Sequence, residues 1–91
     1  MLKIVRVGNP SGGPTLHLEG QVIGPWVEAL GQVCEPILAI GAGLSLDLAN
    51  VSFVSRDGVR LLWRLRDEQV ALLNCSRFVA EQIKAIEETA T

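Results

Sequence analysis

One histidine and two cysteines are all that the 91-residue sequence offers to imidazole or thiol chemistry. A metal centre draws three or four ligands together, and His17, Cys34 and Cys75 show no ligand-type spacing. No metal and no cofactor is expected. A general base needs a positioned partner, and His17 has none beside it in sequence. Cys34 and Cys75 read as small core residues, since neither has an adjacent base, and no catalytic residue is expected. Basic excess is missing too: a formal charge of −2 leaves no electrostatic footprint for nucleic acid. Long apolar runs are absent. The longest, Pro36–Leu44, falls short of the roughly 20 residues a membrane helix needs, and MLKIVRVGNP lacks the apolar stretch of a signal peptide. Two cysteines without an export signal suit a reduced, cytoplasmic protein with no membrane contact. Repeats and low-complexity segments are absent as well, so residues 1–91 are expected to form one domain. A hydrophobic content of 48% allows a packed interior, but a small chain buries a limited share of its surface. A partner or a second copy therefore matters to such a chain.

What is present is a clear alternation of patterns. Leu2–Val7 (LKIVRV) alternates apolar and basic residues, the period of a half-buried strand. GNPSGGP, residues 8–14, holds three glycines and two prolines and must turn. Thr15–Val22 (TLHLEGQV) resumes the period of two, with Leu16 and Leu18 on one face and Thr15, His17 and Glu19 on the other. A hairpin follows. Pro25 suits the first turn of a helix, whose apolar stripe is read as Trp26, Leu30, Val33 and Ile37. Pro36 is expected to end or kink it, and ILAIGAG, residues 37–43, reads either as a last turn and loop or as an apolar crossover. LSLDLANVSFV, residues 44–54, is a strand with Val51, Phe53 and Val54 among its buried residues. Asp57–Gln69 reads as a helix with Val59, Leu61, Leu62, Trp63 and Leu65 inward. Val70–Leu73 reads as a short strand buried on both faces. Ser76 is placed to cap a last helix with Val79, Ile83 and Ile86 inward, and its polar tail from Glu87 is expected to fray. The order β-β-α-β-α-β-α forces crossovers, hence an α/β fold with a small mixed sheet of about four strands and packed helices.

Between the third strand and the second helix stand Ser55, Arg56, Asp57 and Gly58. An acid in a first helical turn complements the dipole, by about 0.3–1 kcal/mol when exposed, and Ser55 or Asp57 is placed to cap free N–H groups. Arg56, Arg60 and Arg64 recur every four residues on the outer side of the helix. A charged outer face belongs to any amphipathic helix. The other reading is a docking stripe for an acidic partner surface, with Asp67 near Arg64 relieving part of the repulsion. Neither Gly41–Gly43 nor the Gly8–Pro14 segment has the spacing of a Walker loop or dinucleotide fingerprint, and backbone flexibility explains both.

LDLANVSFVSRDGVRLLWRL resembles the STAS domain, the fold shared by anti-sigma factor antagonists and sulfate transporter tails. Leu46-Asp47-Leu48, Val51-Ser52-Phe53, Gly58 and Leu61-Leu62 fall in register with the family's third strand, turn and helix. Leu18-Glu19-Gly20 and the VALLNCS segment with Phe78 and Val79 extend the similarity over Leu16 to Lys84. The resemblance implies a bacterial, non-enzymatic regulator of transcription signalling that holds a protein partner, an anti-sigma factor or serine kinase. Ser55, Arg56, Asp57, Gly58, Arg60 and Arg64 would form the partner surface. It also implies a departure: the family's phosphorylated hydroxyl falls on Asp57, which accepts no phosphate from a serine kinase. Ser55 and Arg56 take the places of the family's acid and first hydroxyl. A further strand and helix found in many members would be missing, making this a shortened version. The alternative is a nucleotide or other anion bound at the N-terminus of that helix, which Asp57 opposes. A homodimer through the arginine stripe or a sheet edge is also compatible with the sequence.

Overall fold

A computed structural model describes residues 1–8, 13–41 and 43–90, side chains of residues 89 and 90 excepted. Most of the Gly8–Pro14 turn and Ala42 of the glycine pair therefore lie outside the described residues. The elements run β1 (Leu2–Val7), β2 (Thr15–Val22), α1 (Pro25–Ala39), β3 (Ser45–Val54), α2 (Arg56–Asp67), β4 (Ala71–Leu73) and α3 (Arg77–Ala90). The expected β-β-α-β-α-β-α order and four-stranded mixed sheet are those of the structure. Strands lie in the order β1-β2-β3-β4, with β1 antiparallel to β2 and the other pairs parallel. Each parallel pair is bridged by a helix, as a parallel return requires.

Alternation in β2 and β3 builds the core. Leu16, Leu18, Leu46 and Leu48 are buried, while Thr15, His17, Ser45 and Asp47 between them stay partly exposed. Leu30, Cys34 and Ile37 of α1, Val59, Leu62 and Leu65 of α2, and Val79 and Ile83 of α3 complete the same cluster. Gly20 marks a close approach. Its φ is +110°, and a Cβ there would lie 2.3 Å from the Met1 carbonyl oxygen, which accepts the Gln21 N–H at 3.0 Å. Only glycine fits that place.

Five expectations are corrected. Trp26 and Val33 do not join the buried stripe of α1 and are each more than a third exposed; Leu30, Cys34 and Ile37 take the inward face instead. Pro36 does not end α1, which continues to Ala39. Burial of Cys34 and Ile37 on either side of the proline holds the last turn against the sheet and offsets the lost N–H. Residues 37–39 are thus helix and not crossover. α2 stops two residues before Gln69, because Gln69 takes a left-handed φ of 75° and the Val70 N–H reaches back to the Leu65 carbonyl at 3.0 Å, a Schellman-type close. β4 is not buried on both faces. It is an edge strand paired only along Ser45–Asp47, with Ala71 and Leu73 exposed and Leu72 half-buried. The tail from Glu87 does not leave the helix, since α3 runs to Ala90 and Arg66 Nη2 holds Glu87 Oε2 at 2.7 Å.

The two cysteines occupy the places expected of them. Cys34 is fully buried and Cys75 partly so. Burial pushes the Cys34 thiol up to about 11, with Arg64 pulling weakly the other way, and burial raises Cys75 as well, against Arg66. The thiolate is the nucleophile. With iodoacetamide at pH 8, Cys75 is therefore expected to be alkylated first and Cys34 at least tenfold more slowly until denaturant is added; peptide mass mapping reads the order.

Candidate functional site

β3 is two residues longer than the strand it pairs with, and this decides what the following turn presents. Register slips between His17 and Glu19 and again between Gly20 and Gln21 place an extra β3 residue at each step. Such bulges bend and twist a strand. Leu48 and Val54 face the core, while Ala49, Asn50, Ser52 and Phe53 are turned out. Phe53, expected inside, is 47% exposed. The bulges bring Val54 opposite Val22, so the chain leaves β3 beside the end of β2.

Ser55 then fastens the turn. Its N–H donates to the Val22 carbonyl at 3.0 Å, and its Oγ donates to the same oxygen at 3.3 Å. The Oγ also accepts the Gly58 N–H at 3.2 Å, which makes Ser55 the N-cap of α2. Gly58 closes the joint: a Cβ there would lie 2.7 Å from both the Val22 oxygen and Val54 Cγ1. Ser55 and Gly58 thus hold the turn together, while Arg56 and Asp57 between them point to solvent.

Arg60 and Arg64 continue outward from Arg56 on the next two turns of α2. Ion pairs among the described residues join Lys3 to Glu19, Arg66 to Glu87 and Arg77 to Glu81. None involves Arg56, Arg60 or Arg64, and Asp67 does not pair with Arg64. The structure places Ser55, Arg56, Asp57 and Gly58 at the head of α2 and Arg60 and Arg64 on its next two turns, four of the six exposed and charged and two committed to the joint.

A second polar cluster escaped the sequence reading. His17 Nδ1 lies 3.2 Å from Asp47 Oδ2 across the β2–β3 pair. Asp47 Oδ1 accepts the Ala49 N–H at 3.0 Å and Asn74 Nδ2 at 3.1 Å. These donors, with His17 beside them, hold the Asp47 carboxyl below its ordinary range. The signal existed: His17 and Asp47 both sit at outward positions of adjacent strands, but only the register makes them neighbours. They tie β2, β3 and the β4–α3 connection together. Among the described residues no three His, Cys, Asp or Glu side chains converge as metal ligands, and no helix is long and apolar enough to cross a membrane.

No protein-family model matches the chain, and no curated protein matches it in sequence. Its three-dimensional form is better matched. The solved structure of the anti-sigma factor antagonist SpoIIAA in its unphosphorylated form superimposes with a TM-score of 0.71, at 20% identity, over 90% of this chain and 82% of that one. With its mixed four-stranded sheet, three helices and glycine-closed turn at the head of α2, the chain has the STAS fold seen in SpoIIAA.

Proposed function

We infer that this domain is a non-catalytic regulatory module that holds a partner protein through the Ser55–Gly58 turn and the exposed side of α2. One observation carries the reading: Arg56, Arg60 and Arg64 stand in a row on α2 with no ion-pair partner among the described residues, while Arg66 on the same helix and Arg77 on α3 are paired. Like charges held in a row cost energy within the monomer, and an acidic surface on a partner relieves it. The likeness to an anti-sigma factor antagonist supports the same class of role, with a kinase-like anti-sigma factor as partner and mutual exclusion as the mechanism. SpoIIAA has an unphosphorylated form to be distinguished. Here Asp57 holds the turn's corresponding place with fixed charge, so phosphate does not switch it. Anion or nucleotide binding at the same helix end is disfavoured by Asp57 itself.

Purified kinase-like anti-sigma factors from the source cell, immobilised and titrated with this protein, test the reading. Wild type is expected to bind saturably and to keep its mass after incubation with ATP. Arg60→Glu should weaken binding at least tenfold, about 1.4 kcal/mol. Equal binding by wild type, Arg60→Glu and Asp57→Ser removes the turn and the stripe as the partner surface, and phosphate mapped to Ser55 replaces the fixed-charge reading.

A further inference from the structure

α1 and α2 each follow a strand and lead back to a parallel neighbour, so they run in the same direction over the core. Between them lies an open trench made of two hollows, about 510 and 480 Å³, which meet at Glu35 and Arg64. The floor is apolar and low. Val27, Gly31 and Leu61 line it near the head of α2, and Leu38 and Leu65 line it farther along. Gly31 keeps it low, since a Cβ there would already touch Leu61 Cδ1 at 3.7 Å. On α2 the trench is bordered from Asp57 to Glu68, which is three turns or about 16 Å at 1.5 Å per residue.

The two walls differ in charge. α1 contributes Glu28 and Glu35, exposed and without a cationic partner; Glu28 only accepts from Gln32 Nε2 at 3.5 Å. α2 contributes Arg60 and Arg64 to the middle of its wall, exposed and without an ion pair among the described residues, with Asp57 and Glu68 at the two ends. No ion pair among the described residues joins the α1 carboxylates to the α2 guanidiniums, although both border the floor. Their intervals along each wall, seven residues and four, are those at which groups on one side of a helix recur.

We propose that the α1–α2 trench receives an amphipathic helix of a partner protein, apolar side down, with acidic residues flanking it toward Arg60 and Arg64 and basic residues toward Glu28 and Glu35. This rests on the protein-binding reading above and adds the α1 wall and the occupant's chemistry to it. A helix laid in a groove is read through apolar anchors at spacings of three and four, which is what a low apolar floor three turns long accepts.

The probes are three synthetic helices of 16 residues that share leucines at positions 2, 6, 9 and 13. One carries Glu along one flank and Lys along the other; one has the same composition with Glu and Lys mixed on both flanks; one has Lys on both. They are titrated into the full chain with ¹⁵N amide shifts as readout. The segregated peptide is expected to saturate, to move amides of α1 and α2, and to bind at least tenfold more tightly than the mixed one. In Arg60→Glu/Arg64→Glu, where both walls are acidic, the Lys peptide is expected to become the tightest by at least tenfold. Equal binding of segregated and mixed peptides, shifts outside α1 and α2, or a Lys peptide tightest on wild type overturns the proposal. So does a concentration-dependent dimer whose α1 and α2 shifts vanish on dilution, which makes a second copy the occupant. Glu28→Lys/Glu35→Lys leaves the turn and the arginine stripe untouched: an anti-sigma factor bound equally by this variant and wild type overturns the trench while the partner reading stands.

Discussion

Gly58→Ala is expected to destabilise the fold by about 3 kcal/mol, at the upper end of what overpacking usually costs. The methyl would meet the Val22 carbonyl oxygen and Val54 Cγ1 at 2.7 Å and Val22 Cγ1 at 3.1 Å. None of these neighbours is free to give way. The Val22 oxygen accepts both the Ser55 N–H and the Ser55 hydroxyl, and the Val22 and Val54 side chains are buried. A domain of this length has roughly 5–14 kcal/mol in total at typical values per residue, so the loss is a large fraction. At 4–8 °C per kcal/mol for domains of this size, the melting temperature should fall by about 12–24 °C. Gly31→Ala is the matched control. Its methyl would make an ordinary 3.7 Å contact with Leu61 Cδ1, and glycine inside a helix costs about 0.8–1 kcal/mol against alanine. The same chemical change at two glycines should thus move stability in opposite directions, read by thermal unfolding followed by circular dichroism. Equal and small effects would mean that α2 does not start against the ends of β2 and β3.

The joint at Gly58 also shows how far a sequence reading carries. Period and punctuation placed the strand-to-helix turn at Ser55–Gly58 and left the cap to Ser55 or Asp57, because the apolar pattern changes from two to 3.6 residues there; the structure gives the cap to Ser55. The order of elements followed from the same patterns, and the parallel crossovers from the helices between strands. What the pattern could not give was anything that depends on register. Two extra residues in β3 carry no signal of their own, yet they place Val54 against Val22; Phe53 faces out with Ser45 and Asp47, on the side that a period of two from Leu44 assigns to it. His17 and Asp47 become partners only when β2 and β3 are laid side by side. In α1, Trp26, Leu30, Val33 and Ile37 make as good a stripe as the one used, and the choice was made by the sheet, which takes the small Cys34 inward and leaves Trp26 and Val33 at the margin. VALL looked doubly buried because composition does not show that a strand pairs over three residues at an edge. For the candidate site, the residue types and the outward side of Arg56, Arg60 and Arg64 were legible; the close seat of Ser55 and Gly58 against the end of β2 was not.

Leu62 and Phe53 turn that difference into a measurement, since both read as interior in the sequence and the structure separates them. Leu62 sits midway along α2 with none of its surface exposed, in the helix that packs against both β3 and α3. Leu62→Ala should leave a cavity that neither side can collapse into, at about 3–4 kcal/mol within the 2–5 usual for such truncations. Phe53→Ala removes a larger side chain, but one already 47% exposed. Full burial of such a residue is worth about 1.5–3 kcal/mol, so roughly half of that is the most its loss should cost. Urea midpoints report the order provided the slopes stay equal. Leu62→Ala is expected to shift the midpoint at least twice as far as Phe53→Ala. The reverse order would mean that Phe53 packs inward and that the end of β3 is not seated beside Val22, which would also undo the steric case for Gly58. The two substitutions therefore test the geometry on which the exposed turn and its arginine row depend.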